Sequence, residues 1–454
     1  MKKSSPIVPA IRGAEFRGRG LAPCLMCSWL LLALAIPSAV LAQPLNLNRN
    51  LLPLGDREAF TANAGAGRRG SNTAAYYNPA GLFYVDHASV SASGSTYLFL
   101  DTEQTPRGPS ALPIQSRAEG VSTIPSTIAV SRRYGEWAFS LNVLVPESFE
   151  LRTLQTADFG TVYTATAITE QDEDLWLGGA AAYGIADWLS VGISGFVIRS
   201  SGFETAFSVA QFGQPTNPPL PGPGPSFLQP DAVGLSTSYF NAEVWSLAGG
   251  AGLLWSPFEW LDIGAGVTSR SLQQSHEAEL YTTTVTASAG TLSTRTAYYP
   301  DLAMNYRLPL DARMGFGIRP AESLLLLLDV GWQDGESYAV IRTNEATRQV
   351  STENTYRCML GAEWQFSERF TLLGGLLYNP SAVRAVSQAT HNTRQDYRGA
   401  SLGITYTDEL FRLSFGVYYL SGRGDALARA ENLSGYFDVR TSAYSFMVSS
   451  AYFI

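Results

Sequence analysis

Polar and apolar residues alternate one by one through most of this chain, and few folds accommodate that pattern. In the run from Leu261 to Thr268, Leu, Ile, Ala and Val occupy one set of positions and Asp, Gly, Gly and Thr the other. From Phe411 to Tyr419 one set is Phe, Leu, Phe, Val, Tyr and the other is Arg, Ser, Gly, Tyr. Leu189, Val191, Ile193 and Val197 alternate with Ser190, Gly192 and Ser194 in the same way. A period of two places successive side chains on opposite faces of an extended strand, and helical spacing fits none of these runs. Beyond residue 42 the longest leucine run is Leu324 to Leu328. A spanning helix needs about 20 apolar residues. The chain is 45% hydrophobic, so it is either a soluble sandwich or a barrel with lipid on its outer face.

Connection lengths separate the two. The pattern predicts strands near 88–100, 122–134, 136–155, 160–185, 187–210, 232–256, 259–287, 290–319, 323–343, 351–366, 369–383, 394–406, 410–422 and 436–454. Tight links such as Tyr134-Gly135, Ala186-Asp187 and Ser367-Glu368 alternate with long ones such as 101–121 and 211–231. Short turns at one end and long loops at the other characterise outer-membrane barrels, as does an even strand number. The expected fold is therefore all-β, a transmembrane antiparallel β-barrel of about 14 strands. Register follows from cost: an arginine facing lipid at mid-bilayer costs roughly 2–4 kcal/mol, so Arg412 is expected to point inward with Ser414 and Gly416.

The N-terminus divides in two. Basic residues (Lys2, Lys3, Arg12, Arg17, Arg19) precede an apolar run from Leu25 to Ile36 and a cleavage-like Val40-Leu41-Ala42, so residues 1–42 are expected to be an export signal peptide. Residues 43–87 do not alternate, and they are expected to fold into the lumen as a hatch or plug ahead of a barrel spanning 88–454. Residues 1–42 take five of the 31 basic and one of the 39 acidic side chains with them. What is left is acidic, which argues against a nucleic-acid partner. Cys358 is then the single cysteine of the processed chain, so no internal disulfide is expected and closure of the sheet must hold the protein together.

At Tyr76-Tyr77-Asn78-Pro79-Ala80-Gly81-Leu82 the chain resembles the FadL-type outer-membrane transporters of long-chain fatty acids and other hydrophobic compounds. Further likeness lies in Asn142-Val143-Leu144-Val145-Pro146, in Leu327-Leu328-Asp329-Val330-Gly331-Trp332, and in Leu360-Gly361-Ala362-Glu363-Trp364. The resemblance implies a 14-stranded barrel with Asn78, Pro79, Ala80 and Gly81 marking the hatch. It also implies a kinked third strand that opens the wall sideways, here at Pro146 and Glu147. By its own chemistry Pro146 lacks the N–H a neighbouring strand would accept, which fits either an opening or a rim. In the family, outer loops in this region form a first, weak catching site, which the resemblance implies here near Phe203, Phe207, Phe212 and Phe227. A solvated loop stiffened by the seven prolines from Gln214 to Pro230 is the plainer reading. The family usually closes on a terminal aromatic, whereas here Phe453 is penultimate and Ile454 last.

Other patterns carry less. Gly65-Ala66-Gly67-Arg68-Arg69-Gly70 matches a dinucleotide fingerprint without the strand and helix it requires. Glu170, Asp172, Glu173 and Asp174 read as a solvated acidic face and not as an ion site. His87, His276 and His391 lack metal-ligand spacing. No catalytic residue, metal or cofactor is expected. The implied function is passive uptake of fatty acids or other hydrophobic molecules by a monomer in contact with outer-membrane lipid. A general porin and a non-transporting structural or adhesive barrel are the alternatives.

Overall fold

The computed structural model describes residues 48–85, 88–106, 114–158, 162–215, 228–288, 290–342, 347–386, 393–427 and 436–454. The expected signal peptide and Phe227 lie outside them. The first six strands are β1 (Ser89–Pro106), β2 (Ile114–Tyr134), β3 (Trp137–Asp158), β4 (Val162–Ala186), β5 (Leu189–Pro215) and β6 (Leu228–Phe258). Then come β7 (Leu261–Thr268), β8 (Leu272–Ser288), β9 (Thr291–Tyr299), β10 (Ala303–Met304), β11 (Asp311–Ala321) and β12 (Leu324–Gln333). The last are β13 (Ser337–Arg342), β14 (Thr347–Ser351), β15 (Thr355–Gln365), β16 (Phe370–Asn379), β17 (Thr393–Thr407), β18 (Phe411–Leu427) and β19 (Tyr436–Phe453).

Among the described residues, 14 of these strands close an antiparallel ring in the order β1 to β7, β11, β12, β15 to β19 and back to β1. The seam runs from Ser89↔Phe453 to Pro106↔Phe437. Closure satisfies backbone groups around the ring, which lipid would otherwise leave unpaired. Hairpin turns are tight at the end where the seam begins. Gly135, at φ +58, turns β2 into β3, a left-handed conformation that glycine adopts without steric cost.

The alternation expected from sequence sets the two faces. Leu141, Ile193, Phe415 and Leu402 are exposed on the outside, while Ser190, Asp262 and Ser414 are buried inside. Exposed aromatic residues such as Trp137, Trp188, Trp260 and Trp364 gather beside the tight turns, where a membrane–water interface favours them.

Three expected strands are interrupted. The stretch 259–287 breaks at 269–271, and beyond it β8 leaves β11 to pair with the outer half of β6. The stretch 290–319 becomes β9, the short β10 and β11, with Pro300 and Pro309 at the breaks, since proline cannot donate to a ladder. The stretch 323–343 splits into β12 and β13, and β13 forms a separate small sheet with β10 and β14. Strands elsewhere run further than expected: β1 continues to Pro106 and β5 to Pro215.

Residues 48–85, the described part of the expected hatch, lie inside the ring against its inner wall. They form a 3-10 turn (Glu58–Thr61), one helical turn (Ala74–Tyr77) and a second 3-10 segment (Pro79–Tyr84). Nearly all of these residues are buried. Such short pieces have no stability of their own and are held by the wall.

Candidate functional site: the filled lumen and the break in the wall

Ion pairs between hatch and wall fix the hatch in place. Arg68 pairs with Glu58 of its own segment at 3.1 Å and with Glu363 on β15. Arg57 also reaches Glu363. Asp262 on β7 takes Arg69 at 2.6 Å together with Arg319 from β11. Asp329 on β12 accepts the backbone N–H groups of Gly65 and Ala66, each at 2.7 Å. In the opposite sense Arg412 on β18, inward as expected, pairs with Asp56 at 3.2 Å. A buried charge is tolerated when paired in this way. Burial disfavours the charged form of Glu58, but the Arg68 guanidinium and the hydroxyls of Thr73 and Ser71 outweigh it and hold the carboxyl below its ordinary range.

The Asn-Pro-Ala-Gly segment sits where hatch meets wall. The Asn78 side-chain amide donates to the Ala66 carbonyl at 2.8 Å and to the Leu253 carbonyl of β6 at 3.0 Å, while its oxygen accepts from Ala80 N. Ser190 on β5 donates to the Ala80 carbonyl at 2.9 Å. Pro79 lies against Gly192, where a Cβ would come within 2.5 Å of its carbonyl carbon. Gly264 and Gly266 likewise leave room for the Ala66 and Tyr77 carbonyls. Asn78 therefore corners the hatch and seats it against β5, β6 and β7.

Between β2 and β3 the ladder is interrupted. Thr127 pairs with Leu144, and Glu119 pairs with Arg152. Between them, among the described residues, 120–126 of β2 and 145–151 of β3 make no ladder pairs with each other, although β1 and β4 still pair with most of them on their far sides. Towards β4, Leu144 faces Trp176 and Glu147 faces Asp174, so Val145 and Pro146 bulge against a single residue, Leu175. Pro146 thus stands at a bulge on one side and a ladder gap on the other.

The surface behind this gap is apolar. Val145 and Leu100 share a buried cluster with Leu51 and Leu52 of the hatch, and Phe149 and Leu151 pack against it. One charged group spans the lumen here. Asn48 is bound to the Asn379 and Gln395 carbonyls at β16 and β17. From there the Arg49 side chain crosses to Glu147 (3.5 Å), Asp174 (3.3 Å) and the Tyr306 hydroxyl (2.8 Å).

The structure thus brings Pro146 and Glu147 together at the gap, and Asn78 to Gly81 together at the hatch corner. It does not gather the phenylalanines. Phe203 and Phe207 lie within β5 at positions that alternate with the inward Ile198, Ser200 and Glu204, and so face outward. Phe203 stacks edge-on against Tyr239 at 5.6 Å, and Phe212 is near the strand's end. The acidic cluster is not a solvated face: Glu170 and Asp174 are buried, and Asp174 bonds Arg49 and Ser200. Sequence reasoning missed Arg49, Asp174 and Tyr306. The alternation Asp174-Leu175-Trp176 could have placed Asp174 inside beside Trp176, because a tryptophan and an aspartate on one strand face share one environment.

The sequence profile described as outer membrane protein transport protein (OMPP1/FadL/TodX) matches residues 57–453. The chain belongs to that family. Among solved structures, a Pseudomonas aeruginosa FadL homologue superposes with a TM-score of 0.61 at 16% identity, covering 89% of this chain and 99% of its own. The Ralstonia pickettii toluene transporter TbuX gives 0.55 at 15%, with the same coverage. The Pseudomonas putida toluene transporter TodX gives 0.58 at 12%, again over 89% and 99%. No curated protein sequence matches at a significant level. The chain has the fold of FadL/TodX-family outer-membrane transporters of hydrophobic compounds, and it is a multi-pass barrel of the bacterial outer membrane.

Proposed function

We propose that this barrel takes up hydrophobic molecules passively and releases them sideways into the membrane through the wall gap at Pro146 and Glu147. The observation that carries the reading is the coincidence of two features: a lumen occupied by the buried residues 48–85, and a missing ladder backed by apolar side chains. Each methylene kept out of water is worth about 0.8 kcal/mol, so an apolar route into lipid is favoured over an aqueous one. Fatty acids, alkanes and aromatic hydrocarbons all suit such a surface. The filled lumen speaks against a general porin.

The test is uptake of a radiolabelled alkane by proteoliposomes. Wild-type barrel is expected to load the membrane faster than empty liposomes, and Pro146→Val, which restores an N–H to β3, is expected to slow it at an equal amount of folded, heat-modifiable barrel. Unchanged uptake by the valine variant removes Pro146 from the route. Ion conductance without alkane uptake favours a porin, and neither activity favours a structural role.

A further inference from the structure

We infer that the gap at Pro146 passes uncharged hydrophobic molecules and turns back those carrying a carboxylate, with Glu147 and Asp174 as the residues that set this preference. The inference rests on the lateral route proposed above and names the substrate class that route takes.

The carrying observation is how Arg49, the cation bound to the inward acids of the gap, is used. Glu147 follows Pro146 directly and is the ladder partner of Asp174, so the two carboxylates stand side by side on the inner face of β3 and β4. One Arg49 nitrogen serves both, at 3.5 and 3.3 Å. A second Arg49 nitrogen donates to Tyr306 at 2.8 Å. Two acids therefore share one guanidinium, and with both ionised, the condition the pH 9 test is chosen to approach, this local group carries a net negative charge.

Other cations around the gap are committed elsewhere: Arg152 at its edge pairs with Glu150, at positions that alternate with the inward Phe149 and Leu151. Arg313 and Arg357 both pair with Asp311, and both side chains are buried. Arg313 also donates to Asn50 and lies over the rings of Tyr76 and Tyr77, while Arg357 lies against Gly331. Arg313 and Arg357 are thus covered by hatch and wall, whereas Glu147 and Arg49 each keep 14% of the side chain exposed, already paired to each other. A carboxylate arriving at the gap would have to displace Glu147 or Asp174 from Arg49, leaving another acid unpaired beside it. Like charges a few ångströms apart repel strongly in a medium that excludes water. An alkyl or aryl chain without charge meets Val145, Phe149 and Leu151 and disturbs no pair.

The experiment compares decylbenzene with 4-decylbenzoate, which share an apolar body, in proteoliposomes of the intact protein at pH 9, where the benzoate is ionised. Wild type is expected to take up the neutral compound at least about tenfold faster, after subtraction of empty liposomes, an order of magnitude in keeping with such repulsion. Glu147→Gln and, separately, Asp174→Asn are expected to lower that ratio several-fold, whatever their effect on absolute rate. Equal uptake of both compounds by wild type overturns the inference and leaves the lateral route standing. A ratio unchanged in both variants, each shown to be folded by heat-modifiable mobility, also overturns it. Uptake of neither compound by folded wild type overturns the proposed function itself.

Discussion

Arg68 of the hatch and Glu363 of the barrel wall form an ion pair in which the side chains are 1% and 3% exposed. Neither charge has access to water, so each depends on the other. Removing one partner of a buried pair typically costs about 3–5 kcal/mol, because an uncompensated charge stays behind. Arg68 retains Glu58, but Arg57 loses its wall partner along with Arg68. Glu363→Ala is therefore expected to lower stability to guanidinium in detergent by about that range, and to detach the hatch before the barrel unfolds. An unfolding midpoint equal to wild type would show that the pair contributes nothing net.

Deleting residues 43–80 removes the material that occupies the lumen and leaves Glu363, Asp329 and Asp262 facing an open bore. The barrel itself is expected to persist, since its ladders run strand to strand around the ring. Planar-bilayer recordings should show large, long-lived conductance where the intact protein shows little. A deletion variant that stays electrically silent while folded would show that something other than the hatch seals the barrel.

Much of this was legible in the sequence, and the parts that were not share a cause. Alternation fixed which residues face lipid, from Ile193 outward to Arg412 inward, because a strand offers two faces and one must be apolar. It could not show which neighbour a strand pairs with. The Leu272 to Ser288 stretch keeps β6 on one side, as β7 does, but takes β9 in place of β11 on the other, and its weak alternation reads the same either way. The inward glycines also looked merely polar. Gly192, Gly252, Gly264 and Gly266 are in fact the seats on which Asn78, Pro79 and their neighbours rest, a contact over a hundred residues away in sequence. The Gly65 to Gly70 run, a false dinucleotide match, has a similar explanation: a Cβ at Gly67 would strike the Phe316 and Gly317 backbone.

Those seats make a sharp prediction. A Cβ at Gly264 would overlap the Ala66 carbonyl, and one at Gly252 would overlap the Asn78 side chain. Overlap with backbone cannot be relieved by a rotamer change, and overpacking of this kind costs typically 1–3 kcal/mol. Gly264→Ala is expected to lift the hatch from β7, seen as faster protease cleavage between residues 48 and 85 and as raised conductance. Gly195→Ala is the control, because a Cβ there meets nothing within 4 Å. If both variants resist protease equally, the hatch is not seated on this glycine.

Lipid exposure of the outer face can be tested at Ile193, which is 66% exposed on β5 and neighbours Gly192, the seat of Pro79. If Ile193 touches acyl chains, Ile193→Arg places a guanidinium in hydrocarbon and should cost roughly 2–4 kcal/mol near the midplane, less towards either interface. The same change at Tyr134, exposed beside a tight turn, should cost about 0–1 kcal/mol, because there the charge reaches headgroups and water. Equilibrium unfolding into urea from lipid vesicles measures both. The difference between the two sites carries the information, since it cancels propensity effects common to any arginine on a strand. A cost that is small and equal at the two positions would mean that water, and not lipid, covers the middle of β5.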